Sequence, residues 1–407
     1  MGVELRPLNV LCNIQCLYCY QHPQRDAGNI PRSYDMAKMK SAIEAEGSPF
    51  TLFGGEPLLL PLDDLEDLWS WGFERYGRNE VQTNGTLITE EHIRLFHQYK
   101  VHVGFSIDGP GELNDIRWHT DLARTRESTA RSLAALKRLC TEGLRPALII
   151  TLHRVNACAE RLPMLLAWVR ELIGEGVKHF RLHLLESESE AIRQQYGLTA
   201  EENTQVLMQF LELNREFPRA DFHLFGEMRQ LLMGEDRQIS CIWNACDPYT
   251  TSAVRGIEGQ GQRSNCGRTN KDGVDFVKTS TPGYERYISL FYTPQASGGC
   301  SGCRFFLMCK GQCPGTGIGG DWRNRTEHCE VWKSLFEFLE NELVKEGKSP
   351  LSLSDSLPEI EKRSIELWTS ARRVSLSALT AEQSPARQKP QAGQMAGGLV
   401  QLTAACS

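Results

Sequence analysis

The 407-residue chain lacks any run of about twenty consecutive apolar residues. Its most apolar stretches, FTLFGG and PALIITL, are far too short to cross a bilayer, so no membrane partner is expected. It lacks a basic block as well. With 51 acidic and 45 basic side chains the net charge is −6, and nothing is arranged to meet a phosphate backbone, so nucleic acid is not expected as a partner. The N-terminal stretch MGVELRPLNV has no basic segment leading into a long apolar one and no small-residue cleavage site. No secretory signal is visible, and a cytoplasmic location is expected. No repeat of fixed period appears either, which removes solenoids and propellers from consideration.

What the sequence does have is cysteine: fourteen, bunched in two parts of the chain. In a reducing compartment that clustering points to metal ligation rather than a disulfide framework.

From residue 3 to about 215, runs rich in β-formers alternate with helical patterns. Strands are predicted at 3–10, 50–53, 79–83, 101–107, 147–152 and 179–184, with helices near 35–46, 61–75, 88–99, 126–142 and 160–174. This alternation predicts an α/β fold with a parallel sheet, a partial or full βα barrel. Leu133, Leu136 and Cys140 fall at helical spacing and read as core, and Cys158 reads as another packed thiol. Residues 235–330 turn to Gly, Cys and turn residues with little periodicity, as where metal clusters replace an apolar core. A helix over 329–346 places Val331, Leu335, Phe338, Leu339 and Leu343 on one face with Gly347 as its stop, and is expected to pack back on the barrel. The domains are thus expected at 1–215, 235–346 and 349–407. The last is a polar extension carrying one helix, LPEIEKRSIELWTSARR, then a mobile tail after Leu376.

Cys12, Cys16 and Cys19 follow the first strand in C-N-I-Q-C-L-Y-C, at the carboxyl end of the sheet where barrel active sites are built. Three thiolates hold three corners of a four-iron cluster and leave one iron open. A zinc site closed by His22 is the alternative. The spacing resembles the C-x3-C-x-aromatic-C signature of the radical S-adenosylmethionine (radical SAM) enzymes, with Tyr18 in the aromatic position. That resemblance implies a partial (β/α)6 barrel. It implies S-adenosylmethionine on the open iron and its reductive cleavage to a 5′-deoxyadenosyl radical, with an electron from a flavodoxin or ferredoxin. Gly54, Gly55, Glu56 and Pro57 are similar to the family's GGEP motif, whose backbone and Glu hold the cofactor's amino group. The runs QTNG at 82–85 and SIDG at 106–109 are common in the peptide-modifying branch. By the same resemblance Ser106 touches the ribose and Arg117 the cofactor carboxylate.

Cys300, Cys303, Cys309 and Cys313 read C-x2-C-x5-C-x3-C, with Cys329 beyond and Cys246, Gly261 and Cys266 upstream. The pattern resembles a SPASM domain, which implies two auxiliary [4Fe-4S] clusters with crossed connectivity and hence three clusters in all. One takes Cys241, Cys246, Cys266 and Cys313, the other Cys300, Cys303, Cys309 and Cys329. Cys241 is either the eighth auxiliary ligand or a free buried cysteine that leaves an iron open. Zinc at these sites is again the alternative. Full ligation favours electron transfer; an open iron favours direct substrate binding.

SPASM enzymes for the most part act on peptides or proteins. Sulfatase maturases carry an Asp directly after the third auxiliary cysteine as base, whereas this chain has Gly267. The expectation is therefore maturation of a ribosomally made precursor peptide by crosslinking, thioether formation or backbone splicing, with GGCSGCRFFLMCKGQCPG resembling maturases of Nif11-type leader peptides. Oxidation of a protein Cys or Ser is the alternative, and a non-catalytic metal-built scaffold a third reading. Only eleven residues precede Cys12, so leader recognition is expected from a separate small protein or from the barrel itself. No catalytic base is legible; His153 and His183, on strands, read as packed or hydrogen-bonded.

Overall fold

The computed structural model describes residues 3–23, 33–250, 254–269 and 282–383. Six strands start where the alternation predicts them, although β1 ends four residues before the predicted 3–10 because residues 7–10 turn: β1 (Val3–Arg6), β2 (Phe50–Leu52), β3 (Asn79–Thr83), β4 (Val101–Ser106), β5 (Ala147–Leu152) and β6 (Phe180–Leu184). Between them lie α1 (Met36–Glu46), α2 (Leu62–Tyr76), α3 (Glu90–Gln98), α4 (Leu122–Thr141) and α5 (Leu162–Gly174). The order β6-β5-β4-β3-β2-β1 is parallel throughout, the open (β/α)6 barrel expected of the pattern.

Two further strands were not anticipated. β7 (Arg255–Glu258) pairs parallel with β1, and β8 (Arg263–Ser264) closes back on β7 antiparallel, so the cysteine-rich region lends strands to the sheet. A short Gly-Gln-Gly turn between them hid the hairpin from a search for periodicity. The join is held by charge: the buried Arg6 guanidinium pairs with Glu258 at 2.5 Å and donates to Ser264 Oγ and, at 2.6 Å, to the Asn265 carbonyl.

The strands alternate in what they bury. Val3, Leu5, Leu52, Val81, Val103 and Leu182 point out under the helices, while Glu4, Thr51, Gln82, Ser106, Arg181 and His183 point into the lumen. A closed βα barrel fills its interior with branched apolar side chains. Here charged and polar side chains stand among apolar ones, and the lumen is left open as a cavity of about 590 Å³ that reaches the cysteine-rich region.

After β6 come three helices that the sequence reading left unassigned, α6 (Glu190–Tyr196), α7 (Ala200–Glu216) and α8 (His223–Leu232). The cysteine-rich segment follows, with α9 (Glu285–Tyr292), and then α10 (Cys329–Lys345), which packs on α7 and α8 as expected. Phe338 stands at the edge of the predicted apolar face, packed against the core but not fully buried. It is half-buried beneath the Arg215 guanidinium, and Trp332 and Phe336 take the core positions beside Leu335.

The extension needs a larger correction. α11 (Leu357–Thr369) packs on α9, and α12 (Leu376–Gln383) lies where a mobile tail was expected, with Leu376 and Leu379 buried and Asp236 accepting from the backbone of Leu376 and Ser377. Residues 384–407, with Cys406, lie outside the described part. Trp368 is the largest buried side chain of α11: its ring lies against Tyr287 at 5.5 Å and Phe306 at 6.0 Å. Trp368→Ala is expected to cost about 3–5 kcal/mol and to lower the thermal midpoint, with proteolysis moving to the extension first. Calorimetry and limited proteolysis check both. No described helix is long and apolar enough to cross a membrane.

Candidate active site

Cys12, Cys16 and Cys19 lie on the loop after β1, at the carboxyl end of the strands, and all three line the cavity. The loop is fixed from two sides. Gln15 and Leu17 donate to the carbonyls of Trp118 and Ile116, and the Gly-Gly run is zipped to it by Gly55 N donating to Asn9 O at 2.7 Å and Glu56 N to Leu11 O at 2.8 Å. That approach requires glycine: a Cβ on Gly55 would stand 2.0 Å from the Leu11 carbonyl oxygen, and Gly54 sits at φ +128°. Gly55→Ala is expected to push the cysteine loop off its seat and to lower iron bound at that site, read as about one cluster's worth of iron lost per chain.

The Glu56 carboxylate is held by the protein itself. It is buried and turned away from the cavity. One oxygen accepts from Thr83 Oγ1 at 2.8 Å and Leu58 N at 3.0 Å, the other from Asn84 N at 2.8 Å. It ties two loops together.

Tyr18, Ser106 and Arg117 line the cavity with Gly54 and Gly55. Tyr18 and Arg117 converge on Asp108, whose fully buried carboxylate accepts from Tyr18 Oη and from Thr151 N at 2.9 Å. It also lies 3.9 Å from Arg117 and 3.5 Å from His153. Burial alone would raise the Asp108 carboxyl, but Arg117, His153 and Tyr18 together hold it below its ordinary value. His153 is packed, as expected.

The opposite wall is built by the cysteine-rich region. Cys241, Cys246, Cys266 and Cys313 line the same cavity, and Cys300, Cys303, Cys309 and Cys329 do not. The two quartets are separate neighbourhoods. Burial raises the Cys313 thiol to about 12, with Cys241 and Cys246 adding to it. The Cys309 thiol is raised by burial and by Cys300, Cys329 and Cys303. Cys241 thus stands with Cys246, Cys266 and Cys313 on the cavity wall, and Cys300, Cys303, Cys309 and Cys329 stand together away from it.

The spacing within each group bears on what it can hold. Thiolates about 2.3 Å from one zinc stand about 3.8 Å apart. Among the described residues, no three cysteines bring their sulfurs within 4.8 Å of one another. Thiols close enough to perturb each other yet too far apart for a single ion suit a larger multi-iron cluster. His22 is engaged elsewhere, 2.8 Å from the Cys16 carbonyl. The residues fit the clusters better than zinc.

Four wall residues escaped the sequence reading or were undervalued by it. Arg268 donates to Glu186 Oε1 at 2.8 Å and lies 2.8 Å from His183 Nδ1, and its guanidinium stacks over Tyr20 at 5.8 Å. A guanidinium only donates, so His183 Nδ1 accepts and its proton sits on Nε2. Burial and the Arg268 charge depress the His183 pKa well below its ordinary value. One signal was available for Glu186: it lies just past the carboxyl end of the last barrel strand.

The comparisons with known proteins follow this geometry. Residues 7–162 match the family model of the radical SAM superfamily. These residues form a radical SAM domain. Such a domain implies S-adenosylmethionine and a [4Fe-4S] cluster, and Cys12, Cys16 and Cys19 lie within the matched residues. The chain is 32% identical over 130 residues to a cysteine-type anaerobic sulfatase-maturating enzyme of Clostridium perfringens, covering 28% of this chain and 35% of the relative. It is 28% identical over 215 residues to a serine-type anaerobic sulfatase-maturating enzyme of Klebsiella aerogenes, covering 49% and 50%. The match therefore spans a third to a half of these curated relatives. In fold it resembles anSMEcpe with bound AdoMet, at a TM-score of 0.66 and 18% identity over 85% of this chain and 98% of that one. These relatives belong to the class held as the alternative in the sequence reading, not to the precursor-peptide maturases preferred there.

Proposed function

We propose that this chain is a radical SAM maturase that modifies a residue of a peptide segment held between the barrel and the cysteine-rich region. The observation that carries this reading is the shared cavity, with the radical-SAM cysteines, Tyr18, Ser106 and Arg117 on one wall and Cys241, Cys246, Cys266 and Cys313 on the other. Bound S-adenosylmethionine and its cluster supply a hydrogen-abstracting radical. The chain's own residues orient and enclose. Arg117 offers a guanidinium for the cofactor carboxylate, Gly54 and Gly55 offer close backbone approach, and Ser106, held by Gln82 Nε2 at 2.7 Å, offers a hydroxyl to the ribose. Glu186, His183 and Arg268 line the wall the substrate faces. Cys241, Cys246, Cys266 and Cys313 would hold one auxiliary cluster on the cavity wall and Cys300, Cys303, Cys309 and Cys329 the other, and these would supply electron transfer with a flavodoxin or ferredoxin as reductant.

We favour a ribosomally made precursor peptide, delivered by a separate leader-binding protein, because the base of the sulfatase maturases is missing. Gly267 stands in its place, and a Cβ there would lie 2.8 Å from the Tyr20 ring and 3.2 Å from an Arg6 nitrogen. The second reading, oxidation of a protein Cys or Ser, is favoured by the two sulfatase-maturating relatives. Mass spectrometry after anaerobic co-expression decides between them. Loss of two hydrogens or of a residue-sized fragment from a neighbouring precursor peptide supports the first reading. An unmodified precursor together with formylglycine on a sulfatase-derived peptide supports the second.

A further inference from the structure

The radical chemistry is confined to the carboxyl end of the barrel, yet the lumen continues to the opposite mouth, where its lining includes His102, His179 and His223. His179 immediately precedes β6, and His223 opens α8 two residues after Asp221. Both imidazoles turn Nδ1 toward the same carboxylate oxygen: His179 Nδ1 and His223 Nδ1 each lie 3.3 Å from Asp221 Oδ2. The ligating atoms of all three lie within 4.8 Å of one another, and the rings stack with centroids 5.5 Å apart.

We propose that His179, Asp221 and His223 form a mononuclear site for a divalent first-row transition metal of the zinc class, at the end of the barrel away from the cysteines. Three observations carry this. First, the spacing matches. Ligands about 2.0–2.1 Å from a tetrahedral zinc stand about 3.3–3.4 Å apart, which is the separation of two of the three edges here. A turn of the half-exposed His223 side chain closes the third. Second, the backbone under the ligands is rigid. His179 and Asp221 form a β-bridge, with Phe180 N donating to Asp221 O at 2.9 Å, Asp221 N to Lys178 O at 2.6 Å, and Leu148 N to His179 O at 2.8 Å. Beside the ligands, Phe180 and Phe222 are buried and stacked at 4.9 Å, which anchors each ligand by its neighbour in sequence. Third, the three side chains are 44–47% exposed, so a bound ion is reachable and keeps a position for water or a small donor. Two imidazoles and one carboxylate prefer zinc, nickel or copper over magnesium or calcium. A bound ion ties the entry of β6 to the start of α8.

The test uses the full chain with its iron–sulfur clusters built anaerobically, so that cysteines are already engaged, and zinc as the probe. After chelator washing and re-addition of zinc, the wild type is expected to retain one zinc per chain, and zinc X-ray absorption to show nitrogen and oxygen near 2.0 Å with no sulfur near 2.3 Å. His223→Gln and Asp221→Asn are expected to weaken zinc at least about tenfold, with iron and sulfide content unchanged. Zinc should also raise the thermal midpoint of the wild type and not of His223→Gln. His223 is surface-exposed, so that variant reports even where His179→Ala fails to fold. Absence of retained zinc, zinc with sulfur neighbours, or equal retention by His223→Gln and wild type would overturn the proposal and leave two histidines sharing a carboxylate through hydrogen bonds.

Discussion

Cys16→Ala is expected to reduce 5′-deoxyadenosine release from S-adenosylmethionine to background and to remove about four iron atoms per chain, leaving about eight on the auxiliary sites. Burial pushes the Cys16 thiol up to about 12, and, against the pull of Arg117, Cys19 and Cys12 add to the rise, so the three cysteines face one another. A cluster held by only two thiolates, with two of its irons unligated by protein, would not be retained, and without it no electron would reach the cofactor. Cys140→Ala is the matched control. Cys140 packs half-buried on α4 against the barrel core, outside every cysteine group, so its loss leaves both iron content and deoxyadenosine formation intact. Anaerobic turnover with iron and sulfide analysis reads both variants. Unchanged deoxyadenosine formation in Cys16→Ala would move the reactive cluster to the second wall of the cavity.

Much of this site was legible because its chemistry is carried by spacing along the chain. C-x3-C-x-Y-C, GGEP and the SPASM spacing are local facts, and the folded loops preserve them. The six barrel strands were legible for a related reason, since a strand covered by helices on one face and facing a lumen on the other must alternate at period two. What escaped depended on partners distant in sequence. β7 is four residues long and exists by pairing with β1, while Arg6 selects Glu258 across 252 positions of sequence. The Glu56 carboxylate's tie to Thr83 and Asn84 was not legible, because a motif names a residue without saying which way its side chain turns. Arg268, Glu186 and His183 carry no motif and meet only when the cysteine-rich region closes over the barrel. α12 reads as a low-complexity tail until Asp236 caps its start.

Asp108→Asn is the second large effect, and its argument rests on donors. Every group around the Asp108 carboxylate brings a proton: Tyr18 Oη, Thr151 N, the Arg117 guanidinium and His153. An asparagine must aim its NH2 either at Thr151 and Arg117, which can only donate, or at Tyr18 and His153, which must then give up donating and accept, and in both orientations the Arg117 guanidinium loses its counter-charge. Removing one partner of such a buried pair costs about 3–5 kcal/mol. Because Tyr18 and Arg117 are the side chains Asp108 orients, cofactor-dependent deoxyadenosine formation is expected to fall about 10- to 100-fold in whatever protein remains folded. The pH dependence follows from the depressed carboxyl of Asp108. A group whose folded pKa lies below its unfolded value of about 3.9 contributes stability that is fully present above that value and is lost only as pH falls through the folded pKa. The stability gap between wild type and Asp108→Asn is therefore expected to stay constant from pH 6 to pH 8. Thermal midpoints of the cluster-loaded proteins across that range measure it, and a gap that narrows toward pH 6 would mean that Asp108 is not the charged hub its neighbours make it.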